Sequence, residues 1–524
     1  MTSKRRHFYR RVGRTTLFHC LQRWLHAATL PPEQYERLVE RRSRRKLLQT
    51  AGALATGALT AHLGHRWSQA ASSPRIVIVG AGMGGLNTAY HLRRWGWRAL
   101  VYEGSNRVGG RIFSTPGQFA PGLVTELGGE FIDSSHDDML FFARQFGLDL
   151  IDLASPSEKS LQTRYVFDGR SYTEAQIIEA LRPFARRIAQ DAQKVGDTVT
   201  YRQHTPHART LDWLSLADYL RQLGISGWLY DLLTVAYVTE YGLDADAQSS
   251  LNLVLMLDTD LRDGFDLYGE SDERYKIRGG NQQIPDRLAR LLASQLHLEH
   301  RLVALRETGS GYRLTFARPG DRYVDVTADV VVLTLPFTLL REVDLQVALP
   351  QAKQRAIREL GYGTNAKVIL GFQRPFWRTA GFSGDFFTSA PCQSGWDSSR
   401  LQRQSVGSLT LFLGGTPGVQ VGQGTPQAQA RAFLPEVERL FPGATQQYTG
   451  KATRFYWPGH AWARGSYACW KVGQYTTLAG SEFAPVGRLF FAGEHTSLDY
   501  QGYMNGAAET GRRVAQLLHR QLRS

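Results

Sequence analysis

Hydrophobic and polar positions along the chain alternate between two periods. Ile76–Val79 is an unbroken β-branched run, the pattern of a strand buried on both faces. A helix-like stretch follows, and Ala99–Tyr102 is a second apolar run. Together they predict a strand–helix–strand unit. Residues 151–272 read mostly as helix, with apolar positions at helical spacing in Ile177–Val195 and Leu216–Tyr237. Leu296–Leu305 and Tyr312–Phe316 predict hairpin strands, and Val330–Leu335 predicts a buried strand ending at Pro336. Residues 346–450 return to strands and a helix, including Val368–Leu370 with Lys367 at its start. No internal repeat or low-complexity tract interrupts this pattern. The chain is therefore of the α/β class.

Gly80-x-Gly82-x-x-Gly85 sits between the first strand and its helix. The first glycine permits the tight turn and the second lets the backbone approach a pyrophosphate. The third allows close helix–strand packing. Met83 and Gly84 open the helix, whose free N–H groups favour an anion. Glu103 follows the second strand, where an acid accepts hydrogen bonds from a ribose and repels a 2′-phosphate; Gly104 comes next. Strand, glycines, helix and acid in register predict a dinucleotide site.

The formal charge is +15, but residues 1–70 hold 14 Lys/Arg against 3 Asp/Glu, leaving the body at only +4. A nearly neutral body excludes a nucleic-acid surface as the main function. At 524 residues and 42% hydrophobic, the chain can bury the cores of two or more domains. Cys20, Cys392 and Cys469 lack metal-ligand spacing, so no metal is expected, and a Cys392–Cys469 disulfide stays open.

Five further segments carry a resemblance. They are Glu103-x-x-x-Arg107-x-Gly109-Gly110-Arg111, Glu126-Leu-Gly-Gly-Glu-Phe-Ile-Asp133, Ile277-Arg-Gly-Gly-Asn-Gln-Gln-Ile-Pro285, Phe490-Phe-Ala-Gly-Glu494 and Gly502-Tyr-Met-Asn-Gly-Ala-Ala-Glu-Thr-Gly511. In this order the chain resembles the flavin-containing amine oxidases, which include monoamine, polyamine and L-amino-acid oxidases. The resemblance implies a Rossmann-type FAD-binding domain built from residues 74–150, 273–345 and 451–524. It would be interleaved with an α+β substrate-binding domain of residues 151–272 and 346–450. It places FAD against Gly80, Gly82, Met83, Gly84, Gly85, Glu103, Gly104, Gly110, Arg111, Gly128, Gly129, Glu130, Val303, Glu494, Gly502, Tyr503 and Met504. Ser466 stands where covalently flavinylated relatives carry Cys, so the FAD is expected to be noncovalent.

The same resemblance assigns the chemistry. Lys367 matches the lysine that holds a water against flavin N5, and Tyr467 and Tyr503 match the aromatic pair before the flavin. Trp470 and Tyr500 are weaker neighbours. Snake-venom L-amino-acid oxidases bind the substrate carboxylate with an Arg where this chain has Phe131. Glu130 and Asp133, with Glu240 and Asp244, offer negative charge instead. The implied activity is oxidative deamination by dioxygen, giving an imine and hydrogen peroxide, with an L-amino-acid oxidase for Arg and Lys as the leading expectation. A polyamine or monoamine oxidase is the alternative, and a flavin-dependent desaturase or a noncatalytic flavin-binding protein is more remote. The implied partners are a small amine or amino acid and dioxygen, without nucleic acid, and a homodimer stays open.

Residues 1–71 read as a leader. Ser43-Arg44-Arg45-Lys46-Leu47-Leu48 precedes the mildly apolar run Thr50–Leu63, and Ser68-Gln69-Ala70 suits a signal peptidase. This is the layout of a twin-arginine signal, which exports folded proteins, so a periplasmic or other extracytoplasmic location is expected. Membrane contact would then be limited to transit. Replacing Arg44 and Arg45 with Lys should leave holoprotein in the cytoplasm, as measured by cell fractionation; unchanged export would refute the signal.

Overall fold

Ile76–Val79 lies at the centre of a parallel sheet because both of its faces are covered, every residue in it being buried. The sheet order is Leu489–Phe491, Val330–Leu333, Ile76–Val79, Ala99–Tyr102 and Leu296–His297, all pairs parallel. These are strands from three distant stretches of sequence. The structure is a computed structural model that describes residues 74–196, 198–255 and 272–523. The leader, its arginine pair and Cys20 lie outside the described residues.

The helix Met83–Arg94 starts at Gly82, with no side-chain cap and no acid in its first turn. It packs along the C-terminal helix Met504–Arg523. Small residues make that contact close: a Cβ on Gly511 would lie 2.3 Å from the Gly84 carbonyl oxygen. Gly85 does the same beneath the turn, where a Cβ would stand 1.9 Å from the Gly80 oxygen.

A second, seven-stranded sheet runs in the order Tyr448–Tyr456, Ala366–Phe372, Gly407–Leu413, Ser394–Asp397, Phe382–Thr388, Gln162–Phe167 and Arg170–Tyr172. All its pairs are antiparallel except Phe382–Thr388 with Gln162–Phe167. Ala366–Phe372 is buried throughout and carries Lys367. Tyr448–Tyr456 crosses the expected boundary at residue 450; as a partly exposed edge strand it shows little apolar signal. The hairpin of Gln162–Phe167 and Arg170–Tyr172 falls within a stretch expected to be mostly helical. Its Asp168-Gly169 turn, with both residues at positive φ, is the local signal for it.

The long helix Glu174–Val195 buries Ile177, Ile178, Leu181, Ala185 and Ile188 on one stripe, and a Thr173–Gln176 capping box starts it. The expected helix Leu216–Tyr237 is two helices, Leu216–Gln222 and Gly227–Tyr241. Gly224, at φ +83°, breaks the run between them. Cys392 and Cys469 are buried in different core clusters, so no disulfide joins them to each other.

Two glycines of the turn separate packing from ligand approach. Gly85→Ala forces a methyl onto a backbone oxygen and should cost several kcal/mol. Gly82→Ala, with nothing within 4 Å of the new methyl, should fold normally. Thermal unfolding midpoints of the two variants measure the contrast.

Candidate active site

A cavity of about 580 Å³ runs between the two sheets. At one end it is lined by the Gly80–Gly84 turn, Glu103, Gly104, Arg301, Val303 and Trp462. The Glu103 carboxylate accepts hydrogen bonds from Ala81 N (2.7 Å), Ser105 N (2.9 Å) and Ser105 Oγ (2.9 Å). A carboxylate has about four acceptor sites, so one remains for a ribose hydroxyl. Val303 sits where the register between Arg301–Thr308 and Gly311–Arg318 slips, leaving its backbone out of that ladder and on the cavity wall. With Gly82 open to the space and the helix N-terminus uncapped, this end fits a dinucleotide. Gly85 is absent from the lining and serves the packing beneath.

The middle of the cavity is set by close backbone crossings. A Cβ on Gly128 would meet the Arg111 oxygen at 2.0 Å, and one on Gly129 would meet Met504 Cγ at 2.6 Å. Arg111 Nη1 donates to Glu494 Oε1 and the Ser466 carbonyl, both at 2.8 Å. Glu494 also accepts from Ala468 N and Gly502 N. Thus Arg111, Glu494, Ser466 and Gly502 come together from four separate segments, with Gly110 and Met504 beside them on the wall.

The far end is aromatic and holds a buried charge cluster. Phe131, Phe387, Trp396, Phe412, Tyr467 and Tyr503 line it. Tyr467 donates its hydroxyl to the Thr239 carbonyl, and Tyr503 packs edge-on to His136 at 4.9 Å. Trp396 packs at 5.3 Å from both Phe131 and Phe412, and its indole N–H has no acceptor among the described residues. Lys367 Nζ donates to the carbonyls of Glu126 (2.9 Å) and Gly128 (2.9 Å) and to Glu130 Oε2 (3.0 Å). An ammonium has three N–H donors, so all are committed. A water against the flavin would be held by Lys367 only after one of these bonds opened.

Glu130 is shared: its Oε1 accepts from Lys276 Nζ at 2.8 Å. Burial opposes ionisation of Glu130, but the charges and hydrogen bonds of the two lysines outweigh it and hold its carboxyl below the usual range. Glu126, fully buried alongside, is pushed up to about 7, chiefly by burial and further by Glu130. Hydrogen bonds from Asn281 N and Ser114 and the charge of Lys276 oppose the shift.

Three expected substrate residues lie elsewhere. Asp133 is fully buried off the cavity, accepting from Glu273 N and facing His136 at 3.3 Å. Trp470 is a core residue packed on Tyr475 at 5.3 Å. Tyr500 turns its hydroxyl to the Ser135 carbonyl. All three lie two or three residues from lining residues in the sequence, but their side chains turn away from the cavity. Glu240 is also off the cavity, and Asp244 accepts from the Thr416 amide and hydroxyl. Trp396, Phe387, Phe412 and Lys276 went unnoticed because they sit in ordinary strands without a local signature. Among the described residues no His, Cys, Asp or Glu group could hold a metal ion.

The Glu126 carboxyl gives a pH dependence. Its folded pKa lies above the ordinary 4.5, so the stability it contributes is complete below 4.5 and is lost as pH rises through about 7. Glu126→Gln removes that loss. Its stability relative to wild type should therefore improve from pH 5 to pH 7.5, by at most about 3 kcal/mol, as read by denaturant unfolding at the two pH values.

Comparison with known proteins agrees with this geometry. The chain is 25% identical over 481 residues to a nicotine dehydrogenase of Pseudomonas putida, covering 90% of this chain and 95% of the relative. It is 24% identical over 467 residues to an L-amino acid dehydrogenase of Synechocystis, covering 85% and 95%. The solved structure of cyclohexylamine oxidase from Brevibacterium oxydans superposes with a TM-score of 0.75 at 23% identity, covering 86% of this chain and all of the other. The family described as flavin containing amine oxidoreductase matches residues 83–519. Glu103, the Arg111–Glu494 junction and the aromatic end with its buried lysine thus lie within this match, and the chain belongs to the flavin-containing amine oxidoreductases.

Proposed function

We propose that the protein oxidises an L-amino acid with an aromatic or other apolar side chain, using noncovalent FAD and dioxygen. The products are an imino acid, hydrolysed to a keto acid and ammonia, and hydrogen peroxide. One observation carries this reading: Glu130 lies between two buried ammonium groups, so this triad at the aromatic end carries a surplus positive charge. A surplus cation attracts a carboxylate and repels a distal cation. The acids behind the expected preference for Arg and Lys are thereby spent: Glu130 is doubly paired, and Asp133, Glu240 and Asp244 do not face the cavity.

FAD, bound along the Gly80–Gly84, Arg111, Gly128–Gly129 and Gly502–Met504 lining, supplies the acceptor for the two electrons of the α C–H bond. The protein's part is to orient and dry that bond. Tyr467 and Tyr503 form the sides of the slot. Phe131, Phe387, Trp396 and Phe412 wall it against water, and the unpartnered Trp396 N–H provides a donor for a substrate oxygen. Among the described residues no cysteine lines the cavity, and Ser466 occupies the position of a covalent tether, which supports noncovalent binding.

The saturated Lys367 favours a second reading, an oxidase of simple apolar amines, because it leaves no direct ammonium N–H for a carboxylate. A peroxide-coupled screen of the twenty L-amino acids with putrescine, spermidine and tyramine separates the readings. Phe, Tyr, Trp or Leu should exceed Arg and Lys by at least about tenfold in kcat/KM, with polyamines inert. Tyramine as the best substrate would favour the second reading, and Arg or Lys as the best would refute both. A parallel assay with an artificial electron acceptor tests dioxygen: turnover there without peroxide would make the enzyme a dehydrogenase.

A further inference from the structure

Lys276 is not on the cavity wall, belongs to no recognised motif and is buried with its ammonium on Glu130 Oε1 at 2.8 Å and on the Ser398 carbonyl at 3.2 Å. We propose that Lys276 is a positioning residue that creates an anion subsite at the aromatic end: by sharing Glu130, it leaves the charge of Lys367 uncompensated toward a ligand carboxylate. The proposal rests on the amino-acid reading above and adds the residue responsible for it.

Three side chains make up the charge count. Lys276 and Lys367 are each positive and Glu130 is negative, so the triad carries +1. Without Lys276 the Glu130–Lys367 pair would be neutral. Position matters as well: Glu130 reaches Lys367 with one oxygen because Lys276 holds the other. Lys367 lies on the cavity wall with its Nζ 5.0 Å from the Trp396 ring, while Lys276 stands behind the wall with its Nζ 6.0 Å from the Phe131 ring. Low-dielectric surroundings transmit an unpaired charge further than water does.

Two other acids act on this cluster, and Glu273 lines the same cavity. Glu126 packs against Glu130 and Lys276 and is poised at about 7, so its ionisation cancels the surplus as pH rises. Asp397 faces Lys276 from the other side and is pushed up to about 6 by burial, against hydrogen bonds from Ser399 and Trp377 and the charges of Arg378 and Lys276. Its nearest counter-charge is Arg378 at 3.9 Å. Anion affinity should therefore fall as pH passes through the range where Glu126 ionises.

The test uses the FAD-loaded full chain and benzoate, an unreactive aromatic carboxylate, with the shift in flavin absorbance giving Kd. Lys276→Met should weaken benzoate about tenfold at pH 6. Lys276→Arg and the double variant Lys276→Met/Glu130→Gln, both of which restore a count of +1, should return Kd to within about threefold of wild type. The wild-type affinity should decline through pH 7, and Glu126→Gln should abolish that decline. Lys276→Met should move the decline to higher pH, because it removes a charge that favours ionised Glu126. Unchanged benzoate affinity in Lys276→Met would overturn the proposal. So would a double variant as weak as the single, since Lys276 would then matter only for packing. A pH dependence surviving Glu126→Gln would overturn the role of Glu126 and point to Asp397. Benzoate binding requires no turnover, so failure of the amino-acid reading in the peroxide screen stays distinguishable from failure here.

Discussion

The buried carboxylate of Glu130 with an ammonium on each oxygen is the constraint around which the catalytic end is organised. Charges removed from water must be paired and hydrogen-bonded, or they shift their protonation. Here the pairing draws on three segments: the stretch that follows the strand Val124–Glu126 and carries Glu130, the strand Tyr275–Ile277 and the buried strand Ala366–Phe372. Lys367 then ties its own strand to the carbonyls of Glu126 and Gly128, so this part of the cavity wall is fixed to the seven-stranded sheet. The same bonds that fix Lys367 also consume its donors. Its contribution to the site is therefore electrostatic before it is a matter of direct contact.

The nucleotide end solves a different problem with backbone rather than charge. Gly85 and Gly511 let the turn and two helices approach more closely than any side chain would allow, which leaves the helix start bare at the cavity. Glu103 fixes the turn through Ala81 and Ser105 while keeping acceptor capacity. Between the ends, Arg111 and Glu494 bind the first glycine-rich segment to the C-terminal one. One cavity thus has a polar, backbone-lined half that fits a dinucleotide and a half lined by aromatic rings. That division is what amine oxidation by a flavin requires: strong binding at one end, a dry C–H bond at the other.

Flavin amine oxidoreductases act on amines of widely different shape, and relatives named for nicotine, L-amino acids and polyamines match this chain at 24–25% identity. In this protein the aromatic end draws Trp396, Phe387 and Phe412 from neighbouring strands of one sheet.

The amino-acid sequence alone determined the features that depend on near neighbours. Ile76–Val79, the three glycines, Glu103 and the helix between them are contiguous, so local sterics and dipoles suffice to read a dinucleotide site from them. The order of the later glycine-rich segments identified the family for the same reason. Which of two adjacent residues faces the cavity was decided only by the tertiary structure. Phe131 and Asp133 lie two apart, and Tyr500 and Tyr503 three apart, yet only one of each pair lines it, because the direction of a side chain in a loop is set by what packs behind it. The charge of the site was equally hidden. Glu130 reads as an acid offered to a substrate until Lys276, 146 residues away, and Lys367, 237 away, arrive on its two oxygens. Electrostatics sums over neighbours in space, and no spacing along the chain records them.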